Sequence, residues 1–151
     1  MFQKQRGFTM VELIVVLVIL GLLSVYAVPR FFDAQSFNQR GFYNETLNAV
    51  RYAQQYAVAT NCDVQVNLTT NGYSLKHPTV NCNTADFDQD VPHPARIGNA
   101  FSGTDTGVTV SPATTFSFNA LGVPSFGSNL AITVGGISFT VHADTGYIEE
   151  A

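Results

Sequence analysis

The amino-acid sequence predicts an α+β fold: one long N-terminal helix, membrane-spanning in its first half, packed on a small antiparallel β-sheet domain. Three observations predict it. Residues 8–28 form an apolar run with one charge, Glu12. Apolar residues then recur at three- and four-residue steps to about Ala59, the period of a helix with one buried face. After Asn61 the period falls to two, and short apolar segments alternate with Gly, Asn and Asp turns, as in a half-buried antiparallel sheet.

The first element follows from length and solvent. At about 1.5 Å per residue, a helix of this length crosses the ~30 Å hydrocarbon core of a bilayer. A carboxylate inside such a span costs about 3 kcal/mol unless something pairs with it. Glu12 therefore implies a partner; the plain alternative is a single-pass anchor with a protonated or snorkelling Glu12. Lys4 and Arg6 precede the run. A secretory signal peptide places its cleavage site after the apolar core, whereas here the basic segment comes first and the candidate cut precedes the run. By the positive-inside rule Lys4 and Arg6 hold the leader in the cytoplasm and send the rest across.

Pro29 lacks a backbone donor and crowds the preceding turn, which predicts a kink. Beyond it Phe42, Tyr43, Leu47, Val50, Ala53 or Gln54, and Ala57 share a face, while Arg40, Asn44, Glu45, Asn48, Arg51 and Gln55 fall largely on others. The aromatic residues of that face read as core packing. Gly41 weakens the helix and marks a site for a local bend.

In the second half Val64, Val66 and Leu68 alternate with Asp63, Gln65 and Asn67, so one face is buried and one is wet. Thr69-Thr70-Asn71-Gly72 reads as a turn into residues 73–76, giving a first hairpin. Residues 83–107 are rich in Asp, Asn, Pro and Gly and read mostly as loop. Further strands are expected over 108–110, 115–119, 131–134, 138–142 and 146–148, with turns at Gly135-Gly136 and Asp144-Thr145-Gly146.

Composition bounds the function. The chain has 151 residues and a formal charge of −4, and removing Lys4 and Arg6 takes it from −4 to −6. About 30 residues of leader and anchor leave room for one small domain. Beyond Arg30 the only basic residues are Arg40, Arg51, Lys76 and Arg96, against ten acids. That balance argues against a nucleic-acid footprint, which needs clustered Lys and Arg.

Gly7-Phe8-Thr9-Met10-Val11-Glu12, ahead of the apolar run, resembles the signature of type IV pilins and type II secretion pseudopilins, with Met10 where Leu is usual. The resemblance implies a leader at 1–7, a transmembrane and assembly helix at 8–30, and a periplasmic globular domain at 31–151 that includes the C-terminal half of the long helix. It implies cleavage by a prepilin peptidase between Gly7 and Phe8, and N-methylation of Phe8. It also gives Glu12 a partner, the N-terminal amine of a neighbouring subunit, and so a role in setting register as the filament grows. Residues 47–57 leading into Cys62-Asp63-Val64-Gln65-Val66 look like the minor pilins and pseudopilins of the GspH/FimT group, as do the terminal strands. Phe31-Phe32 after Pro29-Arg30 is similar to the C-type minor pilin of mannose-sensitive haemagglutinin systems.

Cys62 and Cys82 lie in the part expected to leave the cytoplasm. An even pair in an oxidising compartment most simply forms one disulfide, worth about 3 kcal/mol for a loop of about 20 residues; two reduced, buried thiols are the alternative. Major type IVa pilins close such a loop near the C-terminus, so the early pair points to a minor subunit. Asp86, Asp88 and Asp90 alternate as in a calcium loop, but that pattern needs Gly at 91 and Glu at 97, where Val91 and Ile97 stand. A solvated acidic loop is the simpler reading and a calcium site the lesser one. His77, His93 and His142 show no zinc-pair spacing, and no nucleophile motif stands out. No cofactor is expected, and no enzyme. The expected function is a structural minor pilin of a type IV pilus, in assembly, initiation or at the tip, with adhesion as a possible addition. Its expected partners are the prepilin peptidase, other major and minor pilins and the inner-membrane assembly platform, with no nucleic acid. The chain is expected in the inner membrane, N-terminus cytoplasmic, and then in a surface filament. The alternatives are a GspH-like pseudopilin of a type II secretion system and a glycan- or surface-binding adhesin module.

Overall fold

The computed structural model describes residues 8–31, 34–79, 82 and 86–151, with the side chains of 25–31 and 34 outside the described set. The chain divides into two compact units, residues 1–34 and 35–151. The first holds helix α1, Met10–Phe31.

The second unit is built on helix α2, Ala34–Thr60. Phe42, Tyr43, Thr46, Leu47, Ala49, Val50, Ala53 and Ala57 are buried, the helical face that the sequence period predicts. Thr46 is a polar residue on that face, and its hydroxyl donates to the Phe42 carbonyl at 2.9 Å. Helicity continues through Gly41. Asn61 ends the helix with φ at 54°, and the Cys62 amide reaches back to the Ala57 carbonyl at 3.2 Å. This is a left-handed C-cap that satisfies one of the last free carbonyls.

Nine strands follow among the described residues: β1 Val64–Thr69, β2 Gly72–His77, β3 Gln89–Asp90, β4 Ser102–Thr104, β5 Val110–Ser111, β6 Thr114–Phe118, β7 Leu130–Val134, β8 Ile137–Val141 and β9 Ile148–Glu150. They form two antiparallel sheets where the sequence suggested one. The first runs β3-β2-β1-β6, with β4 also on β2; the second runs β5-β7-β8-β9. The chain crosses between the sheets from β4 to β5, back from β5 to β6 and again from β6 to β7; at the middle crossing Pro112 has no amide to continue a ladder. The β1–β2 hairpin has Thr69 opposite Gly72, so its loop is Thr70-Asn71, as expected. The β7–β8 turn places Gly135 and Gly136 at φ of 57° and 88°, the left-handed pair that a two-residue hairpin loop requires. The last strand begins at Ile148 rather than at Gly146, because Gly146 has φ of 69° and belongs to the turn.

α2 packs on both sheets. Phe42 meets Tyr73 of β2 at 5.9 Å between centroids, and Tyr43 meets Phe139 of β8 edge-on at 5.9 Å. Val64, Val66, Leu75, Phe118, Ile132, Val134, Phe139 and Val141 complete the core. Arg51 clamps β9 to the helix through Glu150 at 2.6 Å.

Candidate assembly segment and outer surface

Thr9 starts α1. Its carbonyl accepts the Leu13 amide at 3.1 Å and its hydroxyl accepts the Glu12 amide at 3.3 Å, the geometry of an N-cap. Glu12 is thus third in the helix, at the Thr-x-x-Glu spacing of a capping box, in the first turn where the helix dipole favours a carboxylate. Thr9 is a residue whose role the sequence reading missed, although that spacing was its signal.

From Met10 to Leu23 the large apolar side chains are exposed on every face: Leu13 55%, Val16 44%, Leu20 55% and Leu23 60%. Four positions at steps of three and four would be buried together on an amphipathic helix; here none is. A helix apolar all round is stable only inside lipid or among other apolar helices. The Ser24 hydroxyl donates to the Leu20 carbonyl at 2.7 Å, so it is satisfied within its own helix, as apolar surroundings demand. Among the described residues no helix is long and apolar enough to cross a membrane; the side chains described in α1 end at Ser24. Gly7 lies outside the described residues, and Phe8 beside it is 80% exposed. Pro29 falls within α1, which stays helical to Phe31; residues 32 and 33 lie outside the described residues.

On the domain, the structure holds a hairpin inside the segment read as loop. β3 and β4 both pair with β2, on either side of Leu75. Between them residues 91–101 fold back on themselves: Phe101 donates to the Val91 carbonyl at 2.7 Å and His93 to the Asn99 carbonyl at 2.9 Å. Leu75 ties both arms to the sheet, accepting from the Val91 amide at 3.0 Å and donating to the Phe101 carbonyl at 3.1 Å. Beside the hairpin opens a groove of about 520 Å³, lined by Glu45, Asn48, Tyr73, His93, Arg96 and Phe101 among others. Burial pushes the Tyr73 hydroxyl up to about 12, with Glu45 adding to the effect and Arg96 opposing it.

Residues 2–28 match the family model described as the prokaryotic N-terminal methylation motif. Residues 43–147, from α2 to the turn before β9, match the model described as type II transport protein GspH. The chain belongs to the GspH family. A stretch of 57 residues is 44% identical to the type IV narrow pilus major component PilA5 of Thermus thermophilus, covering 38% of this chain and 47% of that protein. The match thus spans about half the length of that relative. The fold is similar to that of the type IV minor pilin FimU of Pseudomonas aeruginosa, with a TM-score of 0.51 and 14% identity over 77% of this chain and 90% of that one. A second crystal form of FimU gives 0.49 and 15% over 72% and 88%.

Two further residue sets of this GspH-family domain have defined places. Cys62 and Cys82 are bonded, with Cα atoms 4.2 Å apart, and the Asp63 amide donates to the Cys82 carbonyl at 2.9 Å. The acidic run is not gathered into a site. Asp88 accepts from the Thr79 amide at 3.0 Å and from the Thr79 hydroxyl. The Thr79 hydroxyl holds its carboxyl below the usual range. Asp90 stands 4.0 Å from Lys76. Two of the three carboxylates weighed for calcium, Asp88 and Asp90, thus face protein groups, Thr79 and Lys76. Among the described residues no group of three His, Cys, Asp or Glu could hold a metal.

Proposed function

We propose that this GspH-family chain is a minor pilin of a type IV pilus, of the mannose-sensitive haemagglutinin kind, acting in filament initiation or at the tip. A prepilin peptidase cuts between Gly7 and Phe8, and Phe8 is methylated. Residues 8–30 cross the inner membrane with the domain in the periplasm. The assembly platform then moves the helix from lipid into a core of other pilin helices. The observation that carries this reading is the exposure of thirteen large apolar side chains from Phe8 to Leu23, twelve of them spread over all faces of α1. Full burial of each is worth about 1.5–3 kcal/mol relative to water. Lipid and a helical core supply that burial about equally, so transfer between them costs little from the apolar side chains. Glu12 differs. Its carboxylate favours whichever environment offers a cation, and the cleaved amine of a neighbouring Phe8 is one.

A second reading, a pseudopilin of a type II secretion system, is favoured by the match of residues 43–147 to type II transport protein GspH. Deleting the chain in its own cells separates the two. Loss of surface filaments with normal exoprotein release is the expected result. Normal filaments with release abolished would overturn the pilus reading in favour of secretion. An adhesive role of the domain is read in the same strain once filaments are restored by the full chain: attachment that follows filament number, and nothing else, leaves no place for it.

A further inference from the structure

The tip of the 91–101 hairpin presents an exposed aliphatic side chain beside a cation. Ile97 at its apex is 101% exposed, the most exposed large apolar side chain among the described residues of the domain. Its neighbour Arg96 is one of four basic residues beyond Arg30. Arg51 and Lys76 are engaged by Glu150 and Asp90. Arg96 has no ion pair among the described residues. Nor does Glu45, which faces the same groove. At the groove floor Tyr73 is 6% exposed and lies over the Cα of Gly103, where a Cβ would strike its ring and hydroxyl; its hydroxyl makes no hydrogen bond among the described residues.

The apex is not a loose loop. His93 stacks on Phe101 at 4.7 Å, and Tyr52 of α2 stacks on Phe101 at 4.9 Å. The Ala95 amide donates to His93 Nδ1 at 3.1 Å, the Arg96 amide to the His93 carbonyl at 3.3 Å, and the Asn99 amide to the Arg96 carbonyl at 3.1 Å. Gly98 supplies the positive φ, 85°, that closes the turn. The backbone of the apex is thus held by the domain's own bonds, which lowers the entropic cost of docking.

We infer that Arg96 and Ile97, with the Tyr73 groove behind them, form the contact through which the domain docks on a neighbouring pilin subunit of the same filament. An isolated aliphatic knob beside an unpaired guanidinium fits an apolar hollow rimmed by carboxylates. This chain carries a hollow of that kind next to the groove, about 290 Å³ lined by Phe37, Phe42 and Asp105 among others, with Glu45 shared between the two, so a domain of this fold can supply the receiving half. A saccharide would find the floor polar groups but would leave Ile97 uncovered. The inference rests on the reading of the chain as a filament subunit.

The test places the photo-crosslinker p-benzoylphenylalanine at Ile97, and separately at Leu121, which is 82% exposed elsewhere on the domain, in the full chain in its own cells. The expected product at Ile97 is an adduct whose partner peptide belongs to a chain bearing the N-terminal methylation motif, at least ten-fold above any at Leu121. Ile97→Asp should lower the chain in sheared filaments about ten-fold with its melting temperature unchanged, while Leu121→Asp stays within two-fold. An Ile97 adduct with a saccharide or a non-pilin protein, or none above Leu121, overturns the inference. If the chain is in filaments and Ile97 gives no adduct, the inference fails and the filament reading stands. If the chain is absent from filaments, both fail.

Discussion

Replacing Glu12 by Gln and Thr9 by Ala separates two roles that the first turn of α1 combines. Locally, the Glu12 amide donates to the Thr9 hydroxyl at 3.3 Å, and the Glu12 carboxylate sits at the positive end of the helix dipole. The cap is worth about 1 kcal/mol and the dipole about 0.3–1 kcal/mol. Glu12→Gln keeps the cap and removes the charge; Thr9→Ala does the reverse. On local grounds the two substitutions cost about the same, a factor of roughly five in any equilibrium. Pairing in a filament core is of another order. Removing one partner of a buried ion pair costs about 3–5 kcal/mol, a hundred-fold or more in partition at about 1.4 kcal/mol per decade. Immunoblots of sheared filaments against the membrane pool read that partition. Glu12→Gln is expected to lower it about a hundred-fold, and Thr9→Ala by no more than roughly five-fold. Equal losses for the two would refute the pairing and leave Glu12 as a helix cap.

The other predictions concern the domain. Tyr73 ionises at about 12 in the fold against 10.0 for the free side chain. Its contribution is therefore complete below pH 10 and is lost as pH rises toward 12. Between those values the melting temperature of Tyr73→Phe should fall less than that of the parent chain; parallel falls would contradict it. Reducing Cys62–Cys82 opens a loop of sequence separation 20. At about 3 kcal/mol it should lower the melting temperature by roughly 10 °C, and an unchanged transition would remove the bond from the account. Gln54 Nε2 donates to the Gly122 carbonyl at 3.0 Å and to the Thr145 carbonyl at 3.3 Å, joining two loops to α2. Gln54→Ala should cost about 1–3 kcal/mol in denaturant unfolding and speed hydrogen exchange at Gly122 and Gly146, with no change in either measurement as the contrary result.

How much was legible in the sequence varied with the length of the pattern. α2 carries its signal over many turns, and its buried face is the one that Phe42, Leu47, Val50 and Ala57 mark. The β1–β2 hairpin was legible because Val64, Val66 and Leu68 alternate strictly and a polar turn follows. The 91–101 hairpin was hidden. Pro92, Pro94 and Gly98 read as loop formers, while its anchors Val91 and Phe101, 0% and 7% exposed, stand ten residues apart without a period. The second sheet was hidden too, because strand order depends on long-range pairing such as Val110 with Val134, which local pattern does not encode. At the N-terminus Glu12 was legible as a costly charge, but Thr9-x-x-Glu12 was not read as a cap, because the membrane explanation already accounted for the residue.

The most direct test of the central claim is the intact mass of this chain recovered from purified surface filaments. The account predicts a chain that begins at Phe8, one methyl group heavier than the unmodified sequence from that residue. A filament-borne chain that retains residues 1–7, or one that begins at any other residue, would contradict it.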